Sequence, residues 1–275
     1  MTMIPRMATM LLSLAAGGAL ATGVPATSTH PDYLKPQVRV GEQITDVYAK
    51  SVSWSGPGLK GHVARYSGTS AYTVTSVEAG AIVFDELDRG DGQPASPAVH
   101  GAKVLADGNT WCFNGECRIN DQTSGVFFIP LLWGTAPEEL HAGSTWHVGI
   151  DKPWEIGPKG EEQVRVVDTD PVNGAITLMR HGTGEGWSSD ELRWVHGKTP
   201  FQVTTADGEQ VVATLHPGAA TWSGYTTIRR GVIVSDEIML TQQVEFVARD
   251  GRSWNAELRV YTLLNLASDT GAAPR

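Results

Sequence analysis

Residues 254–261, WNAELRVY, alternate without a break: Trp254, Ala256, Leu258 and Val260 fall on one face, and Asn255, Glu257, Arg259 and Tyr261 on the other. A period of two is the signature of a strand with one buried and one wet face, the pattern of antiparallel sheets. TWHVGID repeats it, with Trp146, Val148 and Ile150 opposed by His147 and Asp151. No long stretch beyond the N-terminal region carries the 3.6-residue period of an amphipathic helix.

Turn residues punctuate the alternating runs where hairpins need them. Asp170-Pro171-Val172-Asn173-Gly174 separates EEQVRVVD from AITLMRH, Asp207-Gly208 separates FQVTT from QVVATL, and Asp250-Gly251 separates QQVEFVA from WNAELRV. These predict three hairpins. Further strands are expected over Gln43–Trp54, Tyr72–Val77, Ala81–Phe84, Gly125–Ile129 and Gly231–Leu240. Helix is limited to Ala136–His141 and Ser188–Trp194. The expected class is therefore all-β with short helices only, either one curved antiparallel sheet or a β-sandwich. One domain over 37–266 accommodates it, with DRGDGQPASPAVHG at 88–101 a long loop or sub-boundary and 267–275 a loose tail.

The first 30 residues follow different rules. Arg6 precedes an apolar run from Met7 to about Leu20 and the small residues Ala19-Leu20-Ala21, the layout of a secretory signal peptide over 1–21, or 1–26 if cleavage follows Ala26. The run is shorter than the ~20 residues a membrane-spanning helix needs. A periplasmic or extracellular, non-spanning protein is expected. The formal net charge of −9 becomes more negative once Arg6 is removed, which disfavours nucleic acid and anionic membrane surfaces, since both are gripped by Lys and Arg.

Two cysteines occur in the chain, in NTWCFNGECRI, residues 109–119. They are too few for a structural zinc site without histidines at finger-like spacing, and a redox couple is usually C-x-x-C. A two-residue turn at Asn114-Gly115 makes Phe113 and Glu116 one cross-strand pair and Cys112 and Cys117 the next, where side chains come closest. A disulfide there closes a small loop and contributes roughly 2 kcal/mol. Trp111 and Arg118 would face each other one step further out.

Candidate chemistry is sparse. There is no G-x-S-x-G elbow, and no His pair has helical or strand spacing for one metal ion. No metal or cofactor is expected. Asp85-Glu86, Asp190-Glu191 and Asp236-Glu237 are sequence neighbours, which in a strand point to opposite faces, and solvated turns account for them most simply. Glu155 beside Trp154 in KPWEIGPKG, and Glu185 near Trp187 in HGTGEGW, combine a carboxylate with an aromatic wall. With His181 they are the catalytic candidates if the protein is an enzyme. The glycine-rich stretch 181–187 lacks the lysine of a phosphate cradle and reads as a hairpin tip, or a lid.

Tryptophan outnumbers the other aromatics, nine against six Phe and six Tyr. Trp111, Trp146 and Trp254, each at the start of a strand, read as core. Trp54, Trp154, Trp187, Trp194 and Trp222 stand in polar or glycine-rich surroundings and are the candidates for lining a ligand pocket.

The segments RVGEQITDVYAK, LLWGTAPEELHAGSTWHV and DEIMLTQQVEFVARDGRSWNAELRVYTLL resemble, in their cadence of repeated hairpins, the LolA-like periplasmic carrier proteins and related β-rich periplasmic proteins. The resemblance implies a half-barrel of the lipocalin or LolA kind around an apolar or acyl-chain ligand, and no catalysis. Two other readings stand beside it. One is a secreted carbohydrate-active hydrolase with Trp platforms for a glycan, which needs two carboxyls across one cleft. The other is an envelope structural or assembly factor that presents a sheet edge.

Overall fold

The computed structural model describes residues 33–78, 81–105, 110–119, 126–127, 134–189 and 201–269; the N-terminal segment expected to be a signal peptide and the tail beyond 269 lie outside them. Thirteen strands follow in chain order. They are β1 (Gln43–Ser55), β2 (His62–Glu78), β3 (Ala81–Gly90), β4 (Val99–Leu105), β5 (Thr110–Phe113), β6 (Glu116–Ile119), β7 (Thr145–Ile150), β8 (Gly160–Asp170), β9 (Ala175–Glu185), β10 (Phe201–Thr204), β11 (Gln210–Arg229), β12 (Val232–Ala248) and β13 (Ser253–Asp269). All pair antiparallel in one open, curved sheet of order β6-β5-β4-β3-β2-β1-β13-β12-β11-β9-β8-β7, with β10 alongside β11. The fold is all-β, a single curved sheet and not a two-sheet sandwich. The stretch 88–101 does not interrupt the sheet: it holds the end of β3, the start of β4 and the loop joining them.

The predicted hairpins form at their turn residues, and several strands are longer than the local pattern indicates. β2 begins at His62 and not at Tyr72, and Gly68 within it lies against the ring of Tyr48. A Cβ added to Gly68 would stand 2.5 Å from the phenol oxygen. β11 runs through Pro217-Gly218, which sequence alone treats as a stop. The register shifts there, a bulge that accommodates a residue with no N–H to donate. The same site divides the neighbours along one edge of β11, with β10 against residues 210–213 and β9 against residues 219–229.

No helix is among the described elements. The expected helix Ala136–His141 is irregular chain. Of Ser188–Trp194 only Ser188 and Ser189 are described, so Trp194 lies outside the described residues. The expected strand Gly125–Ile129 is described only at Val126 and Phe127, where Phe127 bridges Val232.

The alternation decides which face is covered. Trp146, Val148 and Ile150 of β7, and Ala256, Leu258 and Val260 of β13, are all buried, as their period requires. They belong to a large apolar cluster on the inner face of β7 to β9 and β11 to β13. A second cluster, around Ile44, Tyr72, Val74, Phe84 and Phe127, serves β1 to β4. Asp46 lies between them along β1, fully buried. Among the described residues no helix is long and apolar enough to cross a membrane.

Candidate functional site

A half-open cavity of about 320 Å³ lies on the inner face. Its floor is built by register. Lys50, Val52 and Trp54 alternate inward along β1, and opposite them on β13 stand Thr262, Val260 and Leu258. Leu215 of β11, Phe201 of β10 and Ile156 extend the apolar wall. Ile156 arrives with the segment after β7, which folds back over the sheet in a tight turn. The Trp154 N–H donates to the Gly157 carbonyl at 2.9 Å, and the Gly157 N–H donates back at 3.2 Å.

The polar groups of the cavity are few. Lys50 Nζ pairs with Glu155 Oε1 at 3.2 Å, their side chains 19% and 12% exposed. Ser188 lies on the same wall, and Tyr66, 54% exposed, stands on the rim. At the other end Trp54 stacks on His62, with ring centroids 3.9 Å apart, and leans on Phe246, which in turn meets Phe201.

The tryptophan candidates therefore separate. Trp54 lines the cavity. Trp154 and Trp222 do not: both are fully buried, packed edge to face at 5.5 Å. Trp187 is half-buried against the main cluster and is not on the cavity wall. What holds the two buried indoles is an ion pair in the core. Arg180 Nε donates to Glu162 Oε1 at 2.9 Å with both side chains essentially sealed from solvent, Trp222 Nε1 donates to the other carboxylate oxygen at 2.5 Å, and the guanidinium sits 5.6 Å over the Trp154 ring. Trp154 Nε1 donates to the Pro158 carbonyl at 3.0 Å. Every polar indole atom is satisfied internally, so these rings are large core residues with a polar handle.

The catalytic candidates separate as well. Glu155 is in the cavity, whereas Glu185 lines a different, open depression beside Lys159 and Thr183. His181 is exposed on the outer face of β9. The cavity thus does not bring Glu155 and Glu185 together. The stretch 181–187 is neither a hairpin tip nor a lid, because 181–184 pairs with β8 on one side and β11 on the other, and Glu185 pairs with β11.

Asp236 is buried in β12 and not in a solvated turn, while Glu237 beside it faces out. Burial pushes the Asp236 carboxyl up to about 6, with the positive charge of Arg180 and a hydrogen bond from Thr226 opposing the rise. A second buried carboxyl, Asp46, is pushed up to about 7, chiefly by burial and further by the charges of Glu86 and Asp88. Among the described residues no group of three or more His, Cys, Asp or Glu is placed to hold a metal ion.

Sequence reasoning missed most of the cavity's polar end. Lys50 was available in principle: extending the alternation of Trp54 and Val52 back along the predicted strand places it inward. Ser188 and Phe201 arrive from outside the strand that carries Lys50 and carry no local signal. The cystine is where the Asn-Gly turn puts it. Cys112 and Cys117 are disulfide-bonded with Cα atoms 4.0 Å apart, facing each other across β5 and β6, and Asn114 and Gly115 both have positive φ.

No protein-family model and no curated protein matches this chain. Among solved structures it is similar, at 12% identity and a TM-score of 0.38, to one of lipid–protein interactions in lipovitellin, over 88% of this chain and 26% of that one. The chain thus spans about a quarter of the lipovitellin chain. A mutant porin of Rh. blastica is 10% identical over 80% of this chain and 99% of its own, with a TM-score of 0.20. A protein of unknown function with a hot dog fold from Alicyclobacillus acidocaldarius matches at 10% identity and a TM-score of 0.15, over 86% of this chain and 83% of its own. These likenesses are too loose to place the chain in a family.

Proposed function

We propose that this is a secreted or periplasmic, non-catalytic binding protein that holds an apolar or acyl-chain ligand in the cavity between β1, β13, β11 and β10. The observation that carries the reading is the cavity itself: about 320 Å³, with walls of Val52, Trp54, Phe201, Leu215, Leu258 and Val260. Pockets of this size with mostly apolar walls and a few placed polar groups are the usual form of small-molecule sites. The signal-like N-terminus and the cystine support an oxidising compartment.

Native mass spectrometry of the protein purified from its own compartment, followed by solvent extraction, tests the reading. A co-purifying apolar small molecule is expected, and it should be lost in a Leu258→Glu variant that retains its unfolding transition. A protein that is empty and binds soluble glycans instead would overturn it.

A further inference from the structure

The cavity has a polar end and an aromatic end, and the sheet register fixes their order. Successive inward rows read Tyr66–Lys50–Thr262, then Ala64–Val52–Val260, then His62–Trp54–Leu258. Four residues of strand separate the first row from the last, about 13 Å at the usual rise. The ion pair belongs to the first row, where Glu155 meets Lys50 and where Thr262, the cross-strand partner of Lys50, is buried with its hydroxyl unsatisfied; the polar atoms of the last row are ring nitrogens of His62 and Trp54. The last row is closed by the Trp54–His62 stack and the Phe246 and Phe201 rings.

An occupant that matches this gradient is a single-chain amphiphile whose tail lies along Val52, Val260 and Leu258 and whose head sits in the Lys50 row. The sign of that head follows from the ion pair. Lys50 and Glu155 already compensate each other at 3.2 Å in surroundings that shield most of both side chains. An anionic head would place a second negative charge beside Glu155 or displace it, and a cationic head would do the same to Lys50. Either adds an unbalanced charge to poorly solvated surroundings, which costs more than the new pair returns. An uncharged hydroxyl avoids this. It can accept from the ammonium and donate to the carboxylate. The protein's net negative charge also works against an anion.

Resting on the binding reading above, we infer that the ligand is a neutral single-chain amphiphile, an alcohol or glyceride, and not a free fatty-acid anion or an alkyl cation.

The test is a titration of the full protein at neutral pH with decanol, decanoate and decylammonium, each below its micelle concentration, followed by tryptophan fluorescence and calorimetry. Decanol is expected to bind at least about tenfold more tightly than either ion. A smaller ratio, or a preference for either ion, overturns the inference and leaves the binding reading in place. If none of the three binds, both fall together. A Glu155→Gln variant provides a readout that a loss of packing would not imitate: removing the counter-charge of Lys50 is expected to raise decanoate affinity relative to decanol by about tenfold. An unchanged ratio in that variant also overturns the inference.

Discussion

Trp222 and Glu162 stand in one cross-strand row, two strands apart, and bond to each other over Gly182. Gly182 of β9 is the register partner of both, and the Trp222 Nε1 donates to Glu162 Oε2 across it at 2.5 Å. A span of two strands is about 10 Å, which an indole bridges only where the intervening residue has no side chain. A Cβ on Gly182 would stand 2.3 Å from the Trp222 ring. Glycine is needed here for close approach, in a strand interior where it otherwise weakens pairing.

Gly182→Ala is accordingly expected to destabilise the protein by about 1–3 kcal/mol, the range for overpacking a filled core. Gly149→Ala is the control, because nothing lies within 4 Å of its Cβ position, and it should stay within about 0.5 kcal/mol. Urea unfolding curves of the two variants check both values.

Arg180 is held in the core by Glu162, and removing one partner leaves the other charged and dry. Glu162→Gln is expected to cost about 3–5 kcal/mol. The double variant Glu162→Gln with Arg180→Met should recover much of that loss, since no ion is left to desolvate while the amide oxygen still accepts from Trp222 Nε1. A double variant no more stable than Glu162→Gln alone would show that the pair matters for reasons other than charge.

Asp46 gives stability a specific pH dependence. Burial lifts its carboxyl from 3.8 to about 7, and hydrogen bonding toward the Ser70 backbone and the Tyr72 hydroxyl offsets this only in part. Between those values the folded protein keeps a proton that the unfolded chain has released, so stability falls as pH rises through roughly 4 to 7. Asp236, lifted to about 6, acts in the same direction. Asp46→Asn removes the first contribution. It is expected to stabilise the protein at pH 8 by about 1–3 kcal/mol and to have little effect near pH 4. Equal effects at both pH values in chemical denaturation would refute the assignment.

Loss of the cystine should be a local event. The loop it closes is short, so Cys112→Ser with Cys117→Ser is expected to cost no more than about 2 kcal/mol. The stapled hairpin ends the sheet at β6, with β2, β3 and β4 between β5 and the cavity floor on β1. Hydrogen exchange should quicken in residues 110–119 while decanol affinity stays unchanged. A fall in affinity would place the hairpin in the cavity's support.

Alternation by itself determined the class of fold, the faces of β7 and β13, the hairpin turns and the pairing of Cys112 with Cys117. Each of these depends on residues close in sequence, and the period of two is imposed by the backbone. Only tertiary structure decided the rest. Trp154 and Trp222, polar in their sequence surroundings, are core residues because Glu162, Arg180 and Gly182 from other strands complete their environment. The glycine-rich stretch at 181–187 looks like a loop until the indole that fills its missing side chain is in place. The cavity joins Lys50, Glu155, Phe201 and Leu258, separated by dozens of residues and brought together by sheet curvature and cross-strand register. Neither leaves a periodic trace in the chain, since both arise from contacts between strands and not from the order of residues within one.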